Sequence, residues 1–233
     1  MMDRLNFLWT SLANLLYPHH CLGCGTDVLE QEDVICLKCL HQLPLTDFGT
    51  KPNNPVEKIF YGRLNLFNAT AAYYFTKDSL LQDLMIQLKY RKNKAVGYYL
   101  GKQLGFQLQQ ADRFRDVDAL VPLPLNIKKE YKRGYNQAMV ICEGIAAVWQ
   151  KPILLGAVIR TQFTETQTKQ DRIHRWQNMQ HVFAIAQKNE ICNKHLLLVD
   201  DVITTGATME ACGSTLLQVP GTRLSLASVA WAI

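Results

Sequence analysis

Residues 195–208 read HLLLVDDVITTGAT, and the fold turns on how that stretch is parsed. The apolar run Leu196–Val199 is long enough for a buried strand and too short for a buried helix. Asp200 and Asp201 stand at its carboxyl end, and Thr204-Thr205-Gly206-Ala207-Thr208 then turns into a helix predicted over 208–218. A strand, a tight loop and a helix in that order form one arm of an α/β sheet, where ligands bind beyond the carboxyl ends of the strands. Backbone N–H groups of such a loop, at a helix N-terminus, can cradle a phosphate monoester. Gly206 lets the backbone approach it, and the hydroxyls of Thr204, Thr205 and Thr208 add donors. The adjacent carboxylates would repel a phosphate, so Asp200 and Asp201 are expected to accept hydrogen bonds from ribose hydroxyls of the same ligand. An ordinary strand–turn–helix with capping threonines is the plain alternative. The loop is not a P-loop, since no Gly-Lys-Ser/Thr follows the strand. Its residues are expected outside the core, so that substitutions there leave the fold intact.

Outward from this stretch, strands are predicted over 69–75, 117–121, 153–159, 181–185 and 223–233, and helices over 79–90, 95–110 and 134–149. Strands alternating with helices predict an α/β domain, an open, mostly parallel sheet flanked by helices. Residues 47–54, DFGTKPNN, followed by Pro55, read as a linker by composition. Residues 3–17 carry Leu5, Leu8, Trp9, Leu12, Leu15 and Leu16 at the spacing of an amphipathic helix, which Pro18 ends. Its polar face lacks the Lys and Arg that membrane-surface docking needs, so packing on protein is the favoured role. The organisation read here is an N-terminal helix over 1–18, a small module over 19–46 and an α/β domain over 47–233.

The small module holds Cys21-x2-Cys24, eleven intervening residues, then Cys36-x2-Cys39. Each CxxC turn can point two thiolates at one metal, and two such turns complete a tetrahedral zinc site with no open position. The segment is too short for a hydrophobic core of its own, so a structural Zn2+ would supply much of its folding free energy. Iron–sulfur ligation usually follows other spacings, and four free thiols are the plain alternative. His19, His20 and His41 lie close by as neighbours rather than ligands.

Composition sets the bounds. Of 233 residues, 48% are apolar and 19% charged, which suits a buried core and argues against wholesale disorder. No uninterrupted apolar run of about 18 residues is present, so no membrane span is expected. Asp3, Asn6 and Asn14 spoil a signal-peptide reading, and a cytoplasmic location is expected. The net charge of +5 is unevenly placed. Lys89, Arg91, Lys92 and Lys94 form one knot, Lys128, Lys129, Lys132 and Arg133 a second, and Lys169, Arg172 and Arg175 a third. Such knots suit a phosphorylated small molecule or a nucleic-acid backbone, or are solvated helix ends.

The strand, acid pair and Thr/Gly loop resemble the phosphoribosyl-pyrophosphate (PRPP) motif of type I phosphoribosyltransferases. LKYRKNKAVGYYLG (88–101), VPLPLNIKKEYKRGYNQA (121–138), RTQFTETQTKQDRIHRWQNMQHVF (160–183) and the four-cysteine module together resemble the ComF family. That family comprises phosphoribosyltransferase-like proteins linked to competence and DNA uptake. The similarity runs collinearly over roughly 15–233.

The resemblance implies a division of labour. The 5′-phosphate goes to Thr204, Thr205, Gly206, Ala207 and Thr208, while the catalytic acids Asp200 and Asp201 take the ribose hydroxyls. Pyrophosphate goes to Lys128 and Arg133, with Asn136 and Gln137 opening the next helix, and Mg2+ joins it to ribose oxygens. Thr166, Gln167 and Arg172, in the polar stretch 160–177, belong to a mobile hood or to a fixed surface loop. Two functions follow. One is transfer of phosphoribose from PRPP to an unidentified acceptor. The other is a non-catalytic role in DNA uptake, in which the pocket binds PRPP or a nucleotide and the chain contacts single-stranded DNA or a helicase. Tyr90, Tyr131 and Tyr135, interleaved with the basic knots, could stack on unpaired bases or cover a core.

Overall fold

The structure is a computed structural model that describes residues 20–27, 29, 33–161 and 182–232. The predicted N-terminal helix lies outside the described residues, as do Thr166, Gln167 and Arg172. The chain divides into two compact units, residues 1–43 and 44–233, taken here one at a time.

In the smaller unit the first cysteine turn is closed by Gly25, whose amide donates to the Cys21 carbonyl at 2.9 Å with φ at +74°. The Leu22 amide donates to the Val34 carbonyl at 2.9 Å and joins the two arms. Cys36 then precedes a short helix, α1 (Leu37–His41).

The larger unit is built on four strands: β1 (Ala69–Phe75), β2 (Ala119–Pro122), β5 (His195–Ile203) and β6 (Arg223–Ala232). They lie in the order β1-β6-β5-β2, every pair parallel. The expected open, mostly parallel sheet is therefore present. The central strands β5 and β6 are nearly continuous apolar runs, as strands covered on both faces must be. Alternate residues Leu196, Leu198, Leu224 and Leu226 join Met209, Cys212 and Leu216 of one flanking helix in a single core. That helix is α8 (Ala207–Leu216). The opposite face is covered by α4 (Lys94–Gln110) and α6 (Gln137–Trp149). Gly97, Gly101 and Gly105 recur on one side of α4, and a methyl at Gly105 would lie 3.1 Å from the backbone of Ile145 in α6. Glycine there is what lets the two backbones approach.

Three sequence expectations are corrected. The stretch 153–159 is not a fifth strand of the main sheet. Ile153 makes a single parallel bridge to Leu120, while β3 (Val158–Arg160) pairs antiparallel with β4 (Phe183–Ile185) in a separate ribbon. Residues 47–54 are not a free linker. Phe48 and Asn54 are buried, and the Asn54 amide donates to the carbonyls of Phe48, Lys51 and Ala69. The same residue caps α2 (Pro55–Ile59) by accepting from the Glu57 amide at 3.1 Å. Two residues expected on a loop outside the core are also placed differently: Asp201 is buried on β5 itself, and Gly206 is buried within a loop whose other residues are exposed.

The sequence reading also missed α5 (Ile127–Arg133), between β2 and α6. The well-capped α3 (Leu80–Tyr90) was anticipated. Ser79 accepts from the Gln82 amide while the Gln82 side chain accepts from Asp78, a reciprocal cap.

Candidate functional site

Two places in the described chain gather chemistry. In the small unit the sulfurs of Cys21, Cys24, Cys36 and Cys39 all lie within 4.8 Å of one another. A tetrahedron with Zn–S bonds of about 2.3 Å has edges of about 3.8 Å, and Cys24 and Cys36 sulfurs are 3.6 Å apart. The set therefore fits a zinc ion. Amides of Gly23 and Cys36 donate to the Cys21 sulfur at 3.4 and 3.2 Å. Burial works to raise the Cys21 thiol, but amides of Cys24, Cys36 and Gly23 outweigh it and bring it down to about 6. Burial and the neighbouring sulfurs push Cys39 up. Four thiolates this close need a cation to coexist.

The second place is the carboxyl end of the sheet. Strand β5 continues past Val199 because Asp200 stays in register with Ser228, and Val202 with Ala230, on β6. Asp200 and Asp201 thus sit on a rigid strand rather than on the loop. The Asp201 amide donates to the Asp200 carboxylate at 2.7 Å. The Lys89 ammonium, from the last turn of α3, lies 3.1 Å from the Asp201 carboxylate. Burial first, then the Asp201 charge, push Asp200 up, against the lowering pull of the Asp201 amide, Lys89 and Arg133. Two like charges this close disfavour each other, which is part of why the first is raised.

A cavity of about 180 Å³ opens in front of the pair. Asp200, Asp201 and Thr208 line it on one side, and Arg133, Asn136 and Gln137 on the other. Those six were named from sequence. Lys129, Lys89 and Arg160 add three cations to the wall. Lys128 is exposed one residue away on α5, its amide accepted by Asn126 at 3.1 Å. Gly134, at φ +83°, ends α5 and turns the chain into α6, whose cap Asn136 accepts from the Ala138 amide and donates to the Leu123 carbonyl. Arg133 donates to the Gln137 side chain at 2.6 Å, which ties the end of one helix to the start of the next.

The Thr/Gly loop is built differently. Thr204, Thr205, Ala207 and Thr208 are exposed at the start of α8, whose first-turn amides have no intrahelical acceptor. Gly206 is left-handed, and a methyl there would lie 2.7 Å from the Phe60 ring and 3.0 Å from Ile59. Its glycine is required by the turn and by the packing of α2. Arg63, unnoticed in the sequence, donates to the carbonyls of Thr205 and Ile59, each at 3.0 Å, and to the carboxylate of Glu210. One guanidinium thus bolts the loop to α2 and α8. Nothing local announces such a role, since Arg63 and Thr205 lie 142 residues apart.

No family model matches the chain. Competence protein F of Haemophilus influenzae is 32% identical over 133 residues, 55% of this chain and 58% of that protein. DNA utilization protein YhgH of Escherichia coli is 28% identical over 141 residues, 59% of this chain and 61% of that protein. Competence protein ComFC of Bacillus subtilis is 30% identical over 99 residues, 42% of this chain and 38% of that protein. The chain is a relative of the ComF proteins. It spans about three fifths of the length of the first two curated relatives. Among solved structures this ComF relative is similar to a glutamine PRPP amidotransferase from B. subtilis complexed with ADP and GMP, at a TM-score of 0.41 and 18% identity over 56% of this chain and 25% of that one. It is also similar to an allosteric regulatory enzyme of purine biosynthesis, at 0.40 and 18% over 56% and 24%. Among the described residues, no helix of the ComF relative is long and apolar enough to cross a membrane.

Proposed function

We propose that this ComF relative binds PRPP, or a related ribose 5-phosphate, at the carboxyl end of β5 and transfers its phosphoribosyl group to an acceptor. One observation carries the reading: a carboxylate pair on a strand lines a single cavity together with Lys89, Lys129, Arg133 and Arg160, beside a helix N-terminus. Ribose hydroxyls donate to Asp200 and Asp201. The 5′-phosphate takes the amides and hydroxyls of the Thr204–Thr208 loop, where the helix dipole also favours an anion. Pyrophosphate lies against Arg133 and Lys129, with Lys128 adjoining and Asn136 and Gln137 beneath. As the C1′–O bond breaks, negative charge grows on the pyrophosphate, and fixed cations stabilise it there. Mg2+ would supply further neutralisation, and Asp200 and Asp201 are the oxygen donors here that would hold it.

Calorimetric titration with PRPP and Mg2+ tests this. Binding is expected in the full chain, weakened roughly ten- to a hundred-fold in Asp201→Asn, the loss of a charge-assisted hydrogen bond. Equal affinity in that variant overturns the assignment of the acids. A pyrophosphate-release screen over bases and amines then tests transfer.

The small unit is assigned one structural zinc, held by Cys21, Cys24, Cys36 and Cys39. Elemental analysis should find one zinc per chain, lost in Cys36→Ser together with solubility. A reducing compartment such as the cytoplasm keeps those thiols available to a metal.

A second reading rests on an adjoining patch that shares Lys89, Lys129 and Arg133 with the first cavity. Tyr131 is 91% exposed and Tyr90 67% exposed. Tyr90, Lys92, Lys129, Lys132 and Arg133 line a hollow of about 290 Å³. Stackable rings among cations suit single-stranded DNA, and the names of the relatives speak of competence and DNA utilization. Anisotropy of a labelled oligothymidine should then fall with salt and with Tyr131→Ala, and a helicase partner would be sought by co-purification.

A further inference from the structure

Two hollows of the larger unit share a wall. Lys89, Lys129 and Arg133 line the cavity in front of the acid pair and also the outer hollow beside Tyr90. We infer that the two ligands proposed above exclude one another: PRPP, through its pyrophosphate, displaces single-stranded DNA from the outer hollow, and bound DNA holds PRPP off. The inference rests on both readings and adds the link between them.

Arg133 is where the hollows meet. Its guanidinium donates to the side chain of Gln137, on the inner wall, at 2.6 Å. The same group lies 6.0 Å from the centroid of the Tyr90 ring, on the outer wall. A nucleotide stacked on Tyr90 sets its phosphate within reach of that guanidinium, and a pyrophosphate in the inner cavity draws it the other way. Lys129 precedes Arg133 by four residues on α5, so the two cations share one face of the helix.

Charge is unequally placed across the wall. The inner cavity holds Asp200 and Asp201, with Lys89 already 3.1 Å from the Asp201 carboxylate. The outer hollow is lined by Lys89, Lys92, Lys129, Lys132, Arg133 and Tyr90, with no carboxylate among the described residues. A pyrophosphate seated inside therefore takes Lys129 and Arg133 and leaves Lys92 and Lys132 to the strand. For single strands, each phosphate contact contributes about 0.7 to the slope of log affinity against log salt. Withdrawing two cations is expected to flatten that slope by about 1.4 and to weaken DNA binding about tenfold or more. Coupling between two ligands is reciprocal, so DNA weakens PRPP by the same factor.

Ribose 5-phosphate separates this device from simple crowding. It can reach the Thr204–Thr208 loop and the acid pair, but it carries no pyrophosphate for the shared cations.

The test is the anisotropy of a labelled oligothymidine on the full chain, at fixed free Mg2+ and ionic strength. PRPP and inorganic pyrophosphate are expected to release the oligomer, and saturating ribose 5-phosphate is expected to leave it bound. In Asp201→Asn the PRPP midpoint for release should rise at least as far as PRPP affinity falls, roughly ten- to a hundred-fold. In Lys132→Ala the oligomer should bind more weakly while PRPP affinity holds. Release by ribose 5-phosphate as readily as by PRPP would overturn the inference. So would a release midpoint unmoved in Asp201→Asn, or PRPP and oligomer bound together with neither weakened. The two readings fail separately. An oligomer that never binds removes the DNA reading, PRPP that never binds removes the transferase reading, and either result takes the exclusion with it.

Discussion

The start of α8 and the short helix α5 face the same cavity but are held in opposite ways. The first is built into the core. Gly206 is buried under Phe60 and Ile59, Met209 and Cys212 follow it inward, and Arg63 ties Thr205 to α2. The second lies wholly on the surface, since none of the residues Ile127–Arg133 is buried. Its ends are fixed by the Asn126 cap and by left-handed Gly134. A phosphate monoester offers the same three oxygens whatever else the ligand carries, and a rigid cradle suits it. The basic helix, which buries no side chain, belongs to the low-stability end of the fold, and under the proposed reaction it would follow charge onto a departing group. The cavity thus pairs a preformed half with an adaptable half.

The widest gap between the two halves should appear on adding a side chain. Gly206→Val puts a β-branched residue in the left-handed region and drives its Cβ into the Phe60 ring. A loss of about 3 kcal/mol or more is expected in urea unfolding. If Gly206→Val unfolds at the wild-type urea midpoint, the start of α8 is not built in as described.

Next comes the bolt. Arg63→Ala removes donors to two carbonyls and a carboxylate at a partly exposed site, and about 1–2 kcal/mol of stability should go with them. Ribose 5-phosphate affinity should fall by roughly tenfold, because the loop is no longer held in shape. Arg63→Lys should restore little, since one ammonium cannot reach all three acceptors of a planar fork. Full rescue by lysine would show that charge alone matters there.

What was legible in sequence follows the same divide. Strand β1 stands at 69–75 as its run of small and aromatic residues implied, and the cysteine spacing foretold the sulfur cluster. The acid pair, Arg133, Asn136 and Gln137 come together as their motifs suggested. Helix α5 was missed because a helix with no buried side chain has no apolar period to read. Helix α2 was hidden by a Pro- and Asn-rich approach that looked like a linker. Asn at the cap with Pro at the first position was the signal that could have found it. Lys89 read only as one charge in a knot, because its partner Asp201 is distant in sequence and near only through the sheet.

Asp200 lets pH probe the built-in half without a ligand. Its carboxyl is raised by burial and by Asp201, so the neutral form is favoured in the folded chain. A raised carboxyl contributes stability that is fully present below the unfolded value of about 3.9 and is lost as pH rises through the folded value of about 8. Asp200→Asn cannot charge, while its side-chain oxygen can still accept from the Asp201 amide. The variant should therefore gain on wild type steadily as pH rises from 4 to 8, read from thermal midpoints at the two pH values. A gap that shrinks with rising pH would mean the acid is stabilised as an anion instead.

The smallest stability change belongs to α5, and its smallness is the point. Lys129→Ala and Lys132→Ala remove exposed charges from a helix that buries nothing, so each should shift unfolding by less than about 0.5 kcal/mol. Binding should separate them. Lys129 lines the cavity with Asp200 and Thr208, whereas Lys132 lines only the outer hollow beside Tyr90. Titration with inorganic pyrophosphate should therefore weaken in Lys129→Ala and hold in Lys132→Ala, and the difference should narrow as salt is raised, because partly exposed charges are screened. Equal losses in the two variants would mean that the basic helix acts as a diffuse positive surface. A loss confined to Lys129 would make it an adaptable wall of one site, opposite the rigid one that Gly206 and Arg63 hold.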